Sequence, residues 1–171
     1  ALDTLLAGNV HDGRVDYERI AATRLAPLDA YLGRLAAAEP DSLTGDEQLA
    51  FYINLYNATM IRAVIAHLAQ QRPGPGSAPA VARNSVADPA PAAGRRSVPG
   101  RAADATRNSA PRWSPADSSF AVFHQPLVRL RGGTLSLDVL ENQLLRPRFH
   151  DPRIHVALVC AARSCPPLLP R

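Results

Sequence analysis

The chain has 171 residues, 46% hydrophobic and 20% charged, enough apolar material for one sizeable core, which excludes a wholly disordered chain and a small disulfide-stapled scaffold. Its formal charge is +4, yet seven Arg against three Asp between Arg72 and Ser118 account for the whole excess, and all 19 basic residues are Arg. No basic groove interleaved with aromatics is visible, which argues against nucleic acid as a partner, and no run of roughly 18 to 20 uninterrupted apolar residues argues for a membrane span.

The first residues, ALDTLLAGNVHDG, lack a basic segment followed by a long apolar one, so a signal peptide is not expected and the chain reads as soluble. From Asp16-Tyr17 a helical pattern begins. Leu25, Leu28, Leu32 and Leu35 recur at spacings of three and four before Pro40 ends it. Thr44 and Glu47 then have the spacing of a capping box, which predicts a helix over 45–70. Its core line is Leu49, Ile53, Tyr56, Met60, Val64 and Leu68. On a helical projection Asn57 falls about 40° from Ile53, and Asn54 about 60° further on. A buried amide costs stability unless its hydrogen bonds are met, so each is expected to hold something in place.

Between Arg72 and Ser118 the chain carries eight of its 16 prolines and, as larger apolar residues, only Val81, Val86, Val98 and Trp113. Such a segment cannot offset its ordering entropy by burial and reads as a long disordered insertion within a single domain spanning 1–171. Order is expected to resume with a short strand over 120–123. LVRLR, Gly132-Gly133 and TLSL follow with the alternation and turn residues of a hairpin. Ser136 is placed to cap a helix with Asp138 in its first turn, Leu137, Leu140 and Leu144 on one face, Leu145 at the margin and Glu141 pointing inward. After Asp151-Pro152, the apolar run IHVALVC predicts a final strand. The fold class is α+β: N-terminal helices packed on a small antiparallel or mixed sheet.

Chemistry gathers at the last segment. Cys165 follows the predicted strand and a short AARS turn, and two prolines fix the backbone behind it. A thiol on such a corner is a candidate nucleophile, whereas Cys160 reads as a small packed hydrophobe. His155 is either the general base for that thiol or a satisfied histidine at a strand edge. Glu141 either orients the imidazole as a third member or pairs with Arg146, Arg148 or Arg153. Two cysteines make no disulfide framework, although one short-range bridge between Cys160 and Cys165 stays open, and the His and Cys spacings match no metal signature, so neither metal nor cofactor is expected.

The blocks VDYERI, DEQLAFYINLYNAT, LSLDVLENQLLRPRF and DPRIHVALVCAARSCPPL, in that order, resemble the family of the domain of unknown function 547. The resemblance implies a papain-like cysteine-peptidase fold with a permuted order of elements, and Glu141, His155 and Cys165 as a triad. It adds Asn54, Asn57 and Ser164 as site-supporting neighbours, an amide such as Asn57 or a backbone N–H near Ser164 being the candidate oxyanion donor. The resemblance supplies geometry and no ligand; with Cys165 as nucleophile and His155 as base, the activity expected is that of a cysteine-dependent hydrolase or acyltransferase acting on peptide or amide bonds of a peptide or protein substrate, and bacterial members of the family are often exported, which fits a periplasmic location. Plant members carry the domain beside regulatory modules, which keeps a second reading in view, a non-catalytic interaction or scaffold module retaining the fold. Against the family pattern, the insertion at 72–118 replaces a compact segment, and the chain ends sooner after Cys-Pro-Pro, an expected C-terminal truncation. The sequence specifies no oligomeric state.

Overall fold

The computed structural model describes residues 2–11, 14–71 and 121–159; the insertion at 72–118, Cys160, Ser164 and Cys165 lie outside them. The first helix, α1 (Leu2–Leu6), buries Leu2, Leu5 and Leu6 and stops at Gly8, whose φ of 72° suits a residue without Cβ. Asn9 closes the end by donating from Nδ2 to Leu5 O at 3.0 Å. A two-stranded antiparallel ribbon follows, β1 (Val10–His11) with β2 (Arg14–Val15), pairing Val10 with Val15. Helix α2 (Tyr17–Thr23) is capped by Asp16, which accepts from Arg19 N at 2.9 Å. The helix expected to run on from Tyr17 breaks at Arg24, whose φ of −131° is not helical, and α3 (Leu25–Ala37) restarts the path.

Helix α4 (Gly45–Gln71) is the axis of the molecule. Its start is fixed by Glu47, whose Oε2 accepts from Thr44 N at 3.0 Å and from Thr44 Oγ1 at 2.8 Å. These bonds, the backbone amide first, hold the Glu47 carboxyl below its ordinary value. Gln48 ties the preceding 3₁₀ turn (Pro40–Ser42) to the helix by donating to Pro40 O at 2.7 Å. The predicted core line is only part of what α4 buries. One side packs Leu49, Tyr52, Leu55, Tyr56 and Met60 against Val128, Leu137, Leu140, Leu145 and Ile154, and the other packs Ala58, Ile61 and Ile65 against Leu2, Leu5, Ile20 and Leu28. By length and composition α4 is apolar enough to cross a membrane, but 67% of that stretch is buried inside the protein.

After the insertion, 121–124 forms a helical turn, α5 (Ala121–His124), where a strand is predicted. The hairpin is present as β3 (Val128–Leu130) and β4 (Gly133–Leu135), antiparallel, with Gly132 at φ 98° in the turn. Together the helices and two small antiparallel sheets make the α+β class expected.

Ser136 caps α6 (Leu137–Val139), its Oγ accepting from Val139 N at 3.2 Å. The helix then widens into a π-helical stretch (Leu140–Leu145) before continuing as α7 (Arg146–Phe149). Pro147 has no N–H to give the carbonyl four residues back, a direct local cause for the ladder to shift to Arg146 N → Glu141 O. The extra residue moves the buried face. Leu137, Leu140 and Leu145 are fully buried, and Leu144, expected on the line, is only half-buried.

The predicted final strand is also corrected. Residues 154–157 form a helical turn, α8 (Ile154–Ala157), because Asp151 O and Pro152 O accept from Ile154 N and His155 N, and a short apolar run suits a buried turn as well as a strand. Only beyond it does the backbone extend, with Leu158 at φ −84° and ψ 125°.

Candidate functional site

Two residues of α4 and the pieces they reach define the candidate site. Asn57 is 4% exposed, and its carboxamide is used at both ends. Nδ2 donates to Ala157 O at 2.9 Å, and Oδ1 accepts from Val159 N at 2.9 Å. A carbonyl at one residue and an amide two residues on, flanking Leu158, is the pattern that one residue of a parallel strand satisfies on its neighbour. The side chain of Asn57 thus stands in for a strand that the described residues do not supply. It also commits to the backbone an amide that the sequence offered as an oxyanion donor.

The neighbouring Tyr56, 1% exposed, donates its hydroxyl to Glu141 Oε2 at 3.2 Å. Burial first, and then the Glu141 charge, push the phenol above its ordinary value, so it stays a neutral donor. The other carboxylate oxygen, Oε1, accepts from Arg146 Nη2 at 2.6 Å and Nε at 3.1 Å. On a regular α-helix a residue five positions on points well away; the π-helical stretch closes its turn at that separation and brings Arg146 over Glu141. Glu141 is therefore turned inward, as expected, with a side chain 21% exposed and pinned from two elements.

His155 is exposed on α8, and its ring has no hydrogen-bond partner among the described residues. The turn beneath it is anchored by Ile154 and Leu158, 1% and 5% exposed. On its N-terminal side, Asp151 accepts from Arg153 N at 2.8 Å and from the Arg153 guanidinium at 2.5 to 3.0 Å. The side-chain bonds to Arg153, and then its amide, hold the Asp151 carboxyl below the usual range. Glu141 and His155 are not hydrogen-bonded to each other; Arg146, one of the three partners the sequence offered, has the carboxylate. Asn54 lies one helical turn before Asn57, half-buried, and makes no side-chain hydrogen bond among the described residues. Cys165, Ser164 and Cys160 fall outside those residues. Among the described residues no three His, Cys, Asp or Glu side chains converge as a metal site would require.

The pattern described as "Protein of unknown function, DUF547" matches residues 40–170, from the 3₁₀ turn before α4 through the terminal Cys-Pro-Pro block. The chain belongs to this family. The match takes in every candidate residue of the DUF547 site, while α1 to α3 precede it. No curated protein and no solved structure matches the chain.

Tyr56 and Arg146 were not singled out as site residues from sequence. Tyr56 reads there as core, although its position next to Asn57 put a polar tip beside a buried amide. Arg146 could not be chosen over Arg148 and Arg153 without the π-helical stretch.

Proposed function

We propose that this DUF547 chain is a cysteine-dependent hydrolase or acyltransferase acting on peptide or amide bonds, with a papain-like, permuted arrangement. The observation that carries the reading is the clamp of Asn57 on Ala157 and Val159. A buried side chain is committed to fixing the backbone that follows His155, with Cys165 six residues beyond Val159 in the sequence, which is the support a nucleophile corner needs. In this mechanism the Cys165 sulfur attacks the carbonyl carbon, a C–S bond forms, and the thiol proton passes to His155. His155 returns the proton to the leaving amine as the C–N bond breaks. Water, or an acceptor amine or hydroxyl, then gives its proton to His155 and displaces the thiol from the thioester. Glu141, held by Tyr56 and Arg146, takes the role of steadying the imidazolium only by exchanging Arg146 for His155, and a backbone N–H near Ser164 takes the oxyanion, since Asn57 is already engaged.

The alternative is an interaction or scaffold module. It is favoured by one observation, the occupation of Glu141 by Arg146 and Tyr56, which is how a purely structural carboxylate is satisfied. Thiol chemistry separates the two. In a Cys160→Ala background, the rate of Cys165 alkylation by iodoacetamide as a function of pH is expected to show a thiolate midpoint below about 7; a midpoint near the free-thiol value of about 8.5 overturns the enzyme in favour of the module.

A further inference from the structure

We propose that Arg146 is an autoinhibitory latch on Glu141, closed in the π-helical register and opened when the stretch slips by one residue into a regular α-helix. This rests on the reading of Glu141 as the group that steadies His155, a role it takes only once Arg146 has let go. Three observations carry it. The carboxylate is held by two unlike partners: Tyr56, 1% exposed, is fixed in the core, whereas the Arg146 side chain is 41% exposed and has solvent to withdraw into. Both Arg146 bonds go to Oε1, so withdrawing the guanidinium releases that oxygen while Tyr56 keeps Oε2 in place. The pairing also belongs to the wide turn alone. Closing Arg146 N–H on Glu141 O sets the two side chains on one face, whereas in a regular α-helix a residue five positions on lies about 140° away around the axis.

The sequence puts a second register within reach. Leu144 is half-buried and Leu145 fully buried, and they are identical neighbours, so a slip by one residue exchanges one leucine for the other in the same core position at little cost. What opposes the slip is Pro147. In a regular α-helix its missing N–H would leave Gln143 O without a bond, and its ring would press on that carbonyl. Phe149 against Tyr52, with ring centroids 6.3 Å apart, adds weight to the closed register. The stretch thus has two discrete packings, which a switch requires, with Pro147 favouring the latched one.

Pro147→Ala restores the N–H, removes the clash and tips the stretch toward the α-helix. Carbodiimide coupling of glycine ethyl ester to Glu141, read by peptide mass spectrometry against the exposed Asp46, is expected to rise at least about fivefold over the parent, as for a carboxylate that loses a charged hydrogen-bond partner. In the same background the leucines change order, Leu144→Ala lowering the urea midpoint more than Leu145→Ala. Equal coupling in parent and variant with the order reversed overturns the latch, and an unreversed order overturns the register as what closes it. If Pro147→Ala does not fold, hydrogen exchange in the unmodified chain decides. The backbone amide and the Nε–H of Arg146 should open together, with protection agreeing within about threefold, and a side-chain Nε–H exchanging at the free rate beside a protected amide overturns the latch. A free-thiol midpoint in the iodoacetamide titration overturns the cysteine reading and with it the inhibitory sense of the latch, whereas the results that remove the latch leave that reading standing.

Discussion

Glu141 shows how much a single carboxylate can be asked to do. It is half-buried, carries a charge, and receives three hydrogen bonds from two different elements. A fork of two guanidinium bonds is directional in a way that an ammonium cannot reproduce. Arg146→Lys is therefore expected to cost about 1 to 2 kcal/mol, and Tyr56→Phe, which removes a bond to a charged group, a similar amount, about 1.5 to 3 kcal/mol. Because both partners hold the same carboxylate, the two losses should not add, and a double-mutant cycle followed by urea unfolding measures the coupling. Additive losses would mean that Glu141 is not the shared partner. At this scale the sequence was informative about type and not about pairing. Glu141 pointing inward and Asn57 demanding satisfied bonds were both legible from helical phase, whereas which Arg meets Glu141 depends on a local π-helical stretch that brings a residue five positions on over it, and the partners of Tyr56 and Asn57 lie 85 and 100 residues along the chain.

The elements themselves were legible wherever local chemistry dictates them. Thr44 with Glu47 marked the start of α4, Gly132-Gly133 marked the β3–β4 turn, and Ser136 marked the α6 cap. Asp12-Gly13 between Val10 and Val15 is an equally good hairpin signal in the sequence. Three assignments failed for stated physical reasons. Short apolar runs at 121–124 and 154–157 suit a buried helical turn as well as a strand, and the π-helical stretch shifts the phase that a regular helix would keep. The shift is testable by stability alone. Leu145→Ala should cost about 2 to 5 kcal/mol, as for other fully buried leucines, and Leu144→Ala only about 1 kcal/mol. A regular α-helix through this region predicts the reverse order, so chemical denaturation of the two variants discriminates between them.

At the scale of the whole molecule, α4 contributes to two apolar clusters, and Leu32 of α3 packs against both. Tyr17 lies in the second cluster, and burial pushes its phenol up to about 12. The sign follows from linkage. A folded value above the unfolded one near 10 means that the neutral ring contributes stability fully present below about pH 10, and that this is lost as pH rises from about 10 to 12. The contribution is roughly 2 to 3 kcal/mol, and Tyr17→Phe should remove this part of the alkaline slope in a series of urea melts. An unchanged slope would place the hydroxyl in contact with water.

Kinship and solvent draw different borders on this protein. The DUF547 match opens at residue 40, yet Ile20, Leu28 and the leucines of α1 are what shield Ala58, Ile61 and Ile65. A version trimmed to the matched portion would leave a bare oily flank on its central rod, and light scattering should find it clumping. The forty or so residues ahead of the shared portion thus behave as a built-in wrapper, so the smallest piece that stays monodisperse is longer than the piece that relatives have in common.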